Sequence, residues 1–250
     1  MTLLNPDWLT APKNPVLEED EIHVWLVCLE RSAQERQSLF DILGDDETER
    51  AGRFHFDRDR ARFVVAHAAL RLILSRYLRQ RPNQLRFRSN DYGKPALETN
   101  SDGGEDLLRF NLSHSEELAL VAVGRGRAVG VDIEYIRADI AREQVAERFF
   151  SRREVLMLRA LPANLQPQAF FNCWTRKEAY IKARGEGLSL ALEDFDVSLV
   201  PGERAALLSV RDNPQETARW SLRELDAGQG YAAALAVEGH DWQLRCWREE

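Results

Sequence analysis

The chain has 250 residues, enough to bury a full core as one large domain or two smaller ones. Its formal charge of −7 argues against non-specific nucleic-acid binding, which draws on a basic surface to neutralise phosphates. Three cysteines (Cys28, Cys173 and Cys246), odd in number and far apart with no Cys-x-x-Cys pair, suggest neither a disulfide framework nor a zinc knuckle, and fit a reducing compartment. With neither a signal-peptide layout nor a bilayer-length apolar run, the expectation is a soluble cytoplasmic protein with no nucleic-acid or membrane partner.

Residues 1–20 are rich in proline and acid and read as a lead-in. Ile22 to Leu29 is a β-forming run, and residues 30–49 form one or two acidic helical pieces. Arg50, Arg53, Arg58, Arg60 and Arg62 then cluster at the start of a long helix predicted from about Asp57 to Arg79. Two accounts of that cluster stand side by side. Glu49, Asp57 and Asp59 make it a salt-bridged helix start; on an acidic protein it is also a cradle for phosphates, which guanidinium groups bind with paired hydrogen bonds. His67 falls in the apolar stripe of this helix and reads as a packed core histidine.

Tyr92-Gly93-Lys94-Pro95 is a turn, and 98–105 a polar loop. A strand from Leu107 to Leu112 runs into Asn111-Leu112-Ser113-His114-Ser115 at its end, either an Asx or Ser turn or a set of donors for an anion. Leu118 to Val123 reads as a strand that Gly124-Arg125-Gly126-Arg127 turns back into Val129-Gly130-Val131-Asp132-Ile133-Glu134, an antiparallel hairpin.

This last stretch alternates apolar and acidic residues at the two-residue period of a strand. Asp132 and Glu134 therefore share a face, with Cβ atoms about 6.5–7 Å apart, and repel each other unless something positive lies between them. A helical region follows, then Ser151 with Glu154 three residues on, a capping box that accounts for Glu154. Pro162 and Pro167 break the chain before a helix from about Gln168 to Ala183.

Projected at about 100° per residue, that helix places Phe170, Phe171, Cys173, Trp174, Tyr180 and Ile181 in one apolar arc. Glu178 and Lys177 fall inside the arc, where a charge has to be paired or ligate a cation. An i,i+4 pair with Lys182 explains Lys182 at the edge better than Glu178 within. Three carboxylates, Asp132, Glu134 and Glu178, suit a hard cation such as Mg²⁺ that keeps phosphate oxygens and water in its shell. Gly185 and Gly187 end the helix, and short β runs fill the remainder with no repeat visible by eye.

Taken in order, Gly93-Lys94-Pro95, Asn111-Leu112-Ser113-His114-Ser115, Gly130-Val131-Asp132-Ile133-Glu134, Phe150-Ser151-x-x-Glu154 and Trp174-x-x-Lys177-Glu178-Ala179-Tyr180-Ile181-Lys182 match a family pattern. Over about Arg50 to Ser189 the chain resembles the 4′-phosphopantetheinyl transferases, and its length resembles their long, Sfp-type branch. The resemblance implies an α+β fold of two similar, pseudo-twofold halves with the active site between them. One half would span 1–127 with the coenzyme A contacts, the other 128–250 with the metal site and catalytic helix.

The implied reaction moves 4′-phosphopantetheine from coenzyme A to a serine of an apo acyl, peptidyl or aryl carrier protein, with Mg²⁺, leaving adenosine 3′,5′-bisphosphate. By position Asp132, Glu134 and Glu178 would be metal ligands, with Asp132, Glu178 and Lys182 catalytic. Arg50, Arg53, Arg62, Lys94, Ser113, His114, Lys177 and Lys182 would contact coenzyme A, with Arg62 at the 3′-phosphate. Glu178 would take the serine proton and Lys182 would stabilise or protonate the departing phosphate.

Two departures from the family pattern stand out: Glu47 where relatives use a basic residue, and Glu116-Glu117 where glycine is frequent. The segment Leu188 to Leu192 is the expected carrier-docking patch, and a monomer the expected state. A Mg²⁺-dependent nucleotide phosphohydrolase and a non-catalytic coenzyme A binder are the rival readings. Hydrolysis of coenzyme A without a carrier would be the sign of the first; a lost carboxylate would be the sign of the second, yet Asp132, Glu134, Glu178 and Lys182 are all present.

Overall fold

The computed structural model describes residues 8–98, 108–137, 142–187 and 190–249. The first part contains β1 (Leu9–Thr10), β2 (Glu21–Cys28), α1 (Ala33–Phe40), α2 (Asp45–Gly52), α3 (Asp57–Leu78), β3 (Phe87–Ser89), β4 (Pro95–Leu97), β5 (Leu108–Ser115) and β6 (Leu118–Arg125). The second contains β7 (Val129–Tyr135), α4 (Arg142–Phe149), α5 (Arg152–Ala160), α6 (Gln166–Arg184), β8 (Phe195–Val197), β9 (Leu207–Val210), α7 (Glu216–Arg219), β10 (Trp220–Glu224), β11 (Tyr231–Glu238) and β12 (Gln243–Glu249). The polar loop read at 98–105 lies, from 99 on, outside the described residues.

One pattern occurs twice in this order. A strand, a long helix and two further strands assemble with the last strand central, β2-β6-β5 in one sheet and β7-β11-β10 in the other, all antiparallel. The α+β fold is thus a pair of similar halves, a repeat carried by topology where residue identities had hidden it. The C-terminal β12 crosses back to pair in parallel with β2, and β1 adds beside it.

Alternation along the strands sets three cores. On β2, Trp25 and Val27 face α3, whereas Ile22, Val24 and Leu26 face the second sheet. Val129, Val131 and Ile133 of β7 meet them there, so the sheets lie back to back with α3 and α6 outside. Asp132 and Glu134 therefore point to the α6 side, as the two-residue period requires.

The expected β6–β7 hairpin does not form. β6 pairs with β5 and β2, while β7 pairs with β11, so 126–128 carries the chain from one sheet to the other. Glycine at 124 and 126 signals a chain reversal but not which strand receives it. Pro167 also differs from expectation: it sits in the first turn of α6, where its missing N–H costs nothing. Among the described residues no helix is long and apolar enough to cross a membrane.

Candidate active site

The two halves meet along β5 and β7, and side chains of β5 replace a backbone ladder there. Asn111 Oδ1 accepts the Val131 N–H at 2.8 Å, and Ser115 Oγ accepts the Tyr135 N–H at 3.1 Å. In the same series Ser113 donates to Asp132 Oδ1 at 2.8 Å and Ser115 donates to Glu134 Oε2 at 2.9 Å. The Ser-His-Ser stretch lies within β5, not in a turn beyond it, because this seam gives its polar side chains partners in extended backbone. Period two then splits it: Ser113 and Ser115 face the acids, and His114 faces α3.

Small residues let α6 approach the acid-bearing face. Ala232, Ala234 and Ala236 of β11 pack under it, and a Cβ on Gly130 would collide with the Ala179 carbonyl oxygen and the Ala183 nitrogen. This closeness brings Lys182 to Asp132. Its Nζ lies 2.5 Å from Asp132 Oδ1 and 3.0 Å from Ser113 Oγ.

Asp132 is 3 % exposed, and its second oxygen, Oδ2, is buried without a hydrogen-bond partner. Burial pushes its pKa up against the pull of Lys182 and Ser113. Burial, and then the neighbouring Asp132 charge, raise Glu134 and Glu178 as well; Lys182 is the cation that opposes the shift in all three. Among the described residues no hydrogen bond holds the Glu178 carboxylate.

Among the described residues no three acidic, histidine or cysteine side chains converge into a finished coordination shell. The donor set nonetheless fits a hard divalent cation: mutually repelling carboxylates on a strand and a helix, with one buried oxygen lacking a partner.

Across β5 the charge changes sign. His114 is exposed at the surface of β5, and desolvation and then His67, Lys182, Arg62 and Arg50 depress its pKa to about 4. Arg62 is held by Glu116 at 2.6 Å, and Arg137 pairs with the same carboxylate. Glu116 occupies the left-handed region, φ 48°, which favours glycine; the two arginines hold a residue whose backbone alone would cost about 1–3 kcal/mol. Arg50 lies over the Phe63 ring at 5.3 Å.

Three predicted contacts do not join this group. Arg53 is an exposed partner of Glu49 at 2.5 Å. The Lys94 amine donates to the carbonyls of Val129 at 3.1 Å and Ala183 at 3.2 Å, clamping β7 to the end of α6. Lys177 is fully buried, 2.8 Å from Glu154 and bonded to the Leu192 and Phe195 carbonyls. Its place in the apolar arc is explained by that ion pair, so its assignment to coenzyme A gives way to a core role. Glu154 does more than cap: besides Ser151 and Lys177 it accepts the Val197 N–H at 2.8 Å.

His67, expected as a packed core histidine, is partly buried against Phe63 and also has a polar partner that its apolar stripe does not announce, Glu47 at 3.0 Å. Of the expected docking patch, Leu188 and Ser189 lie outside the described residues.

Residues 128–236 match the model of the 4′-phosphopantetheinyl transferase superfamily, and 30–125 match that of the 4′-phosphopantetheinyl transferase N-terminal region. The 4′-phosphopantetheinyl transferase HetI of Nostoc sp. is 41 % identical over 98 % of this chain and 99 % of its own. The 4′-phosphopantetheinyl transferase Sfp of Bacillus subtilis is 28 % identical over 84 % of this chain and 89 % of its own. A solved holo-(acyl-carrier-protein) synthase from Bacillus anthracis covers 45 % of this chain and 96 % of that one, at 21 % identity and a TM-score of 0.37. On the extent of the match to HetI, the chain belongs to the 4′-phosphopantetheinyl transferase family.

Proposed function

We propose that the seam between the halves binds coenzyme A with Mg²⁺ and passes the 4′-phosphopantetheine arm to a serine of an acidic carrier protein, the enzyme acting as a monomer in the cytoplasm. The observation that carries this reading is the buried, unpartnered Oδ2 of Asp132 beside two carboxylates that its charge perturbs, facing a cationic cluster across one strand. Asp132, Glu134 and Glu178 would hold the ion. When bound, Mg²⁺ supplies charge neutralisation at the diphosphate.

The chain's own groups divide the remaining work. Lys182, relieved of neutralising three acids, reaches the diphosphate and stabilises the departing phosphate. Glu178, whose proton affinity burial and the Asp132 charge raise, accepts the serine proton. Arg50, Arg62 and His114 bind the nucleotide phosphates, and residues 1–127 and 128–250 act as the two walls. Arg184, tied to Glu186 at 2.8 Å, borders the proposed docking segment.

Intact-mass measurement of an apo carrier protein incubated with this protein, coenzyme A and Mg²⁺ tests the reading. A mass gain of one phosphopantetheine arm on the carrier serine supports it. Release of adenosine 3′,5′-bisphosphate without any carrier would favour a hydrolase instead.

A further inference from the structure

Glu47 replaces a basic residue of the family pattern, yet it does not face solvent: its side chain is 7 % exposed. Its carboxylate accepts the Gly44 N–H at 2.9 Å, the Arg71 Nε–H at 2.5 Å and the His67 Nδ1–H at 3.0 Å. Arg71 is itself fixed by the carbonyls of Pro82 at 3.0 Å and Leu85 at 3.1 Å, and a Cβ on Gly44 would lie 2.5 Å from its guanidinium. A buried glutamate anchored this firmly leaves the imidazole beyond it little freedom.

On its other side the His67 ring stacks on Phe63, centroids 4.0 Å apart. With Nδ1 committed to Glu47, only Nε2 remains to meet a ligand. The side chain keeps 18 % of its surface exposed, and His67 acts on His114 together with Lys182, Arg62 and Arg50. A core histidine would have both nitrogens buried and would not lie among the cations of the seam.

We infer that His67 is a further binding residue of this site, donating Nε2–H to the ribose 3′-phosphate of coenzyme A as the doubly protonated imidazolium while its Nδ1–H stays on Glu47, and that Glu47 and Arg71 are positioning residues acting through it. This rests on the reading of the seam as a coenzyme A site. The 3′-phosphate is the group concerned because His67 belongs to the α3 side, while the diphosphate needs Lys182 and the acids. The chain thus substitutes a buried carboxylate–imidazole pair for the missing surface cation.

Calorimetric titration of the full chain with adenosine 3′,5′-bisphosphate and with adenosine 5′-monophosphate, without metal or carrier, separates the possibilities. His67→Ala should weaken the bisphosphate by about tenfold or more, the worth of a charge-assisted hydrogen bond, and leave the monophosphate within about twofold. Glu47→Gln should act in the same direction and add nothing on top of His67→Ala. Should Glu47→Gln fail to fold, with Arg71 unpaired, the His67→Ala selectivity alone decides. Unchanged bisphosphate binding in His67→Ala, or equal loss of both ligands, overturns the inference. Failure of the unaltered chain to bind either nucleotide overturns the coenzyme A reading itself.

Discussion

Lys182 makes its direct ion pair with Asp132, not with Glu178. Its Nζ crosses from α6 to β7 and stops 2.5 Å from Asp132 Oδ1, although Glu178 lies one turn away on its own helix. The i,i+4 pair that would have made Glu178 a solvated surface acid is absent, and Glu178 keeps a raised pKa from burial and from Asp132. Glu178→Gln should therefore raise the melting temperature of the metal-free protein, because a disfavoured charge is removed. The same change should lower transfer by about 10²–10⁴-fold, as for loss of a general base. Thermal unfolding and a transfer assay check both signs, and a destabilised variant would show that Glu178 has a partner.

Gly130 sets the distance between the acid strand and the catalytic helix. Any Cβ there meets backbone atoms of Ala179 and Ala183, which have no rotamer to yield. Gly130→Ala should cost about 3 kcal/mol or more by overpacking, measured in urea, and whatever folds should transfer poorly since Lys182 no longer reaches Asp132.

The strands, the long helices and the Ser151 cap were legible because each rests on a local period or capping signal, and the acids of β7 were legible for the same reason. What remained hidden depends on distant partners. Nothing near Gly124 says that β7 pairs with β11, more than 90 residues on, and nothing near Lys177 announces Glu154 as the charge that lets it be buried. Glu47 looked like a lost contact because its three partners come from the Gly44 turn and from α3, on which His67 and Arg71 are spaced four apart. The split roles of Ser113 and His114 were implicit in strand alternation, but only once the strand was known to continue through them.

Lys177 and Glu154 form an ion pair with side chains 0 % and 1 % exposed. Lys177→Met leaves the glutamate buried without its cation and should destabilise the fold by about 3–5 kcal/mol. Chemical denaturation measures this. Surviving folded protein should keep its affinity for coenzyme A, whereas a selective rise in KM would return Lys177 to the ligand site.

Lys94 gives a pH signature. Burial, and then the nearby Arg109, lower its pKa to about 8, while the unfolded chain holds that proton to about 10.5. Between these values the unfolded state binds more protons, so stability should rise with pH across the window, by up to about 3 kcal/mol from this group. Urea unfolding at intervals from pH 7.5 to 10 should show the rise in the unaltered protein and a flatter profile in Lys94→Met.

The central claim is that acids from β7 and α6 share one ion at the diphosphate. Electron paramagnetic resonance of Mn²⁺, titrated into the protein with coenzyme A present, tests it most directly. The account predicts saturable binding of a single ion per chain, lost in Asp132→Asn and strongly weakened in Glu178→Gln, with folding intact. Full Mn²⁺ binding by both variants would contradict it.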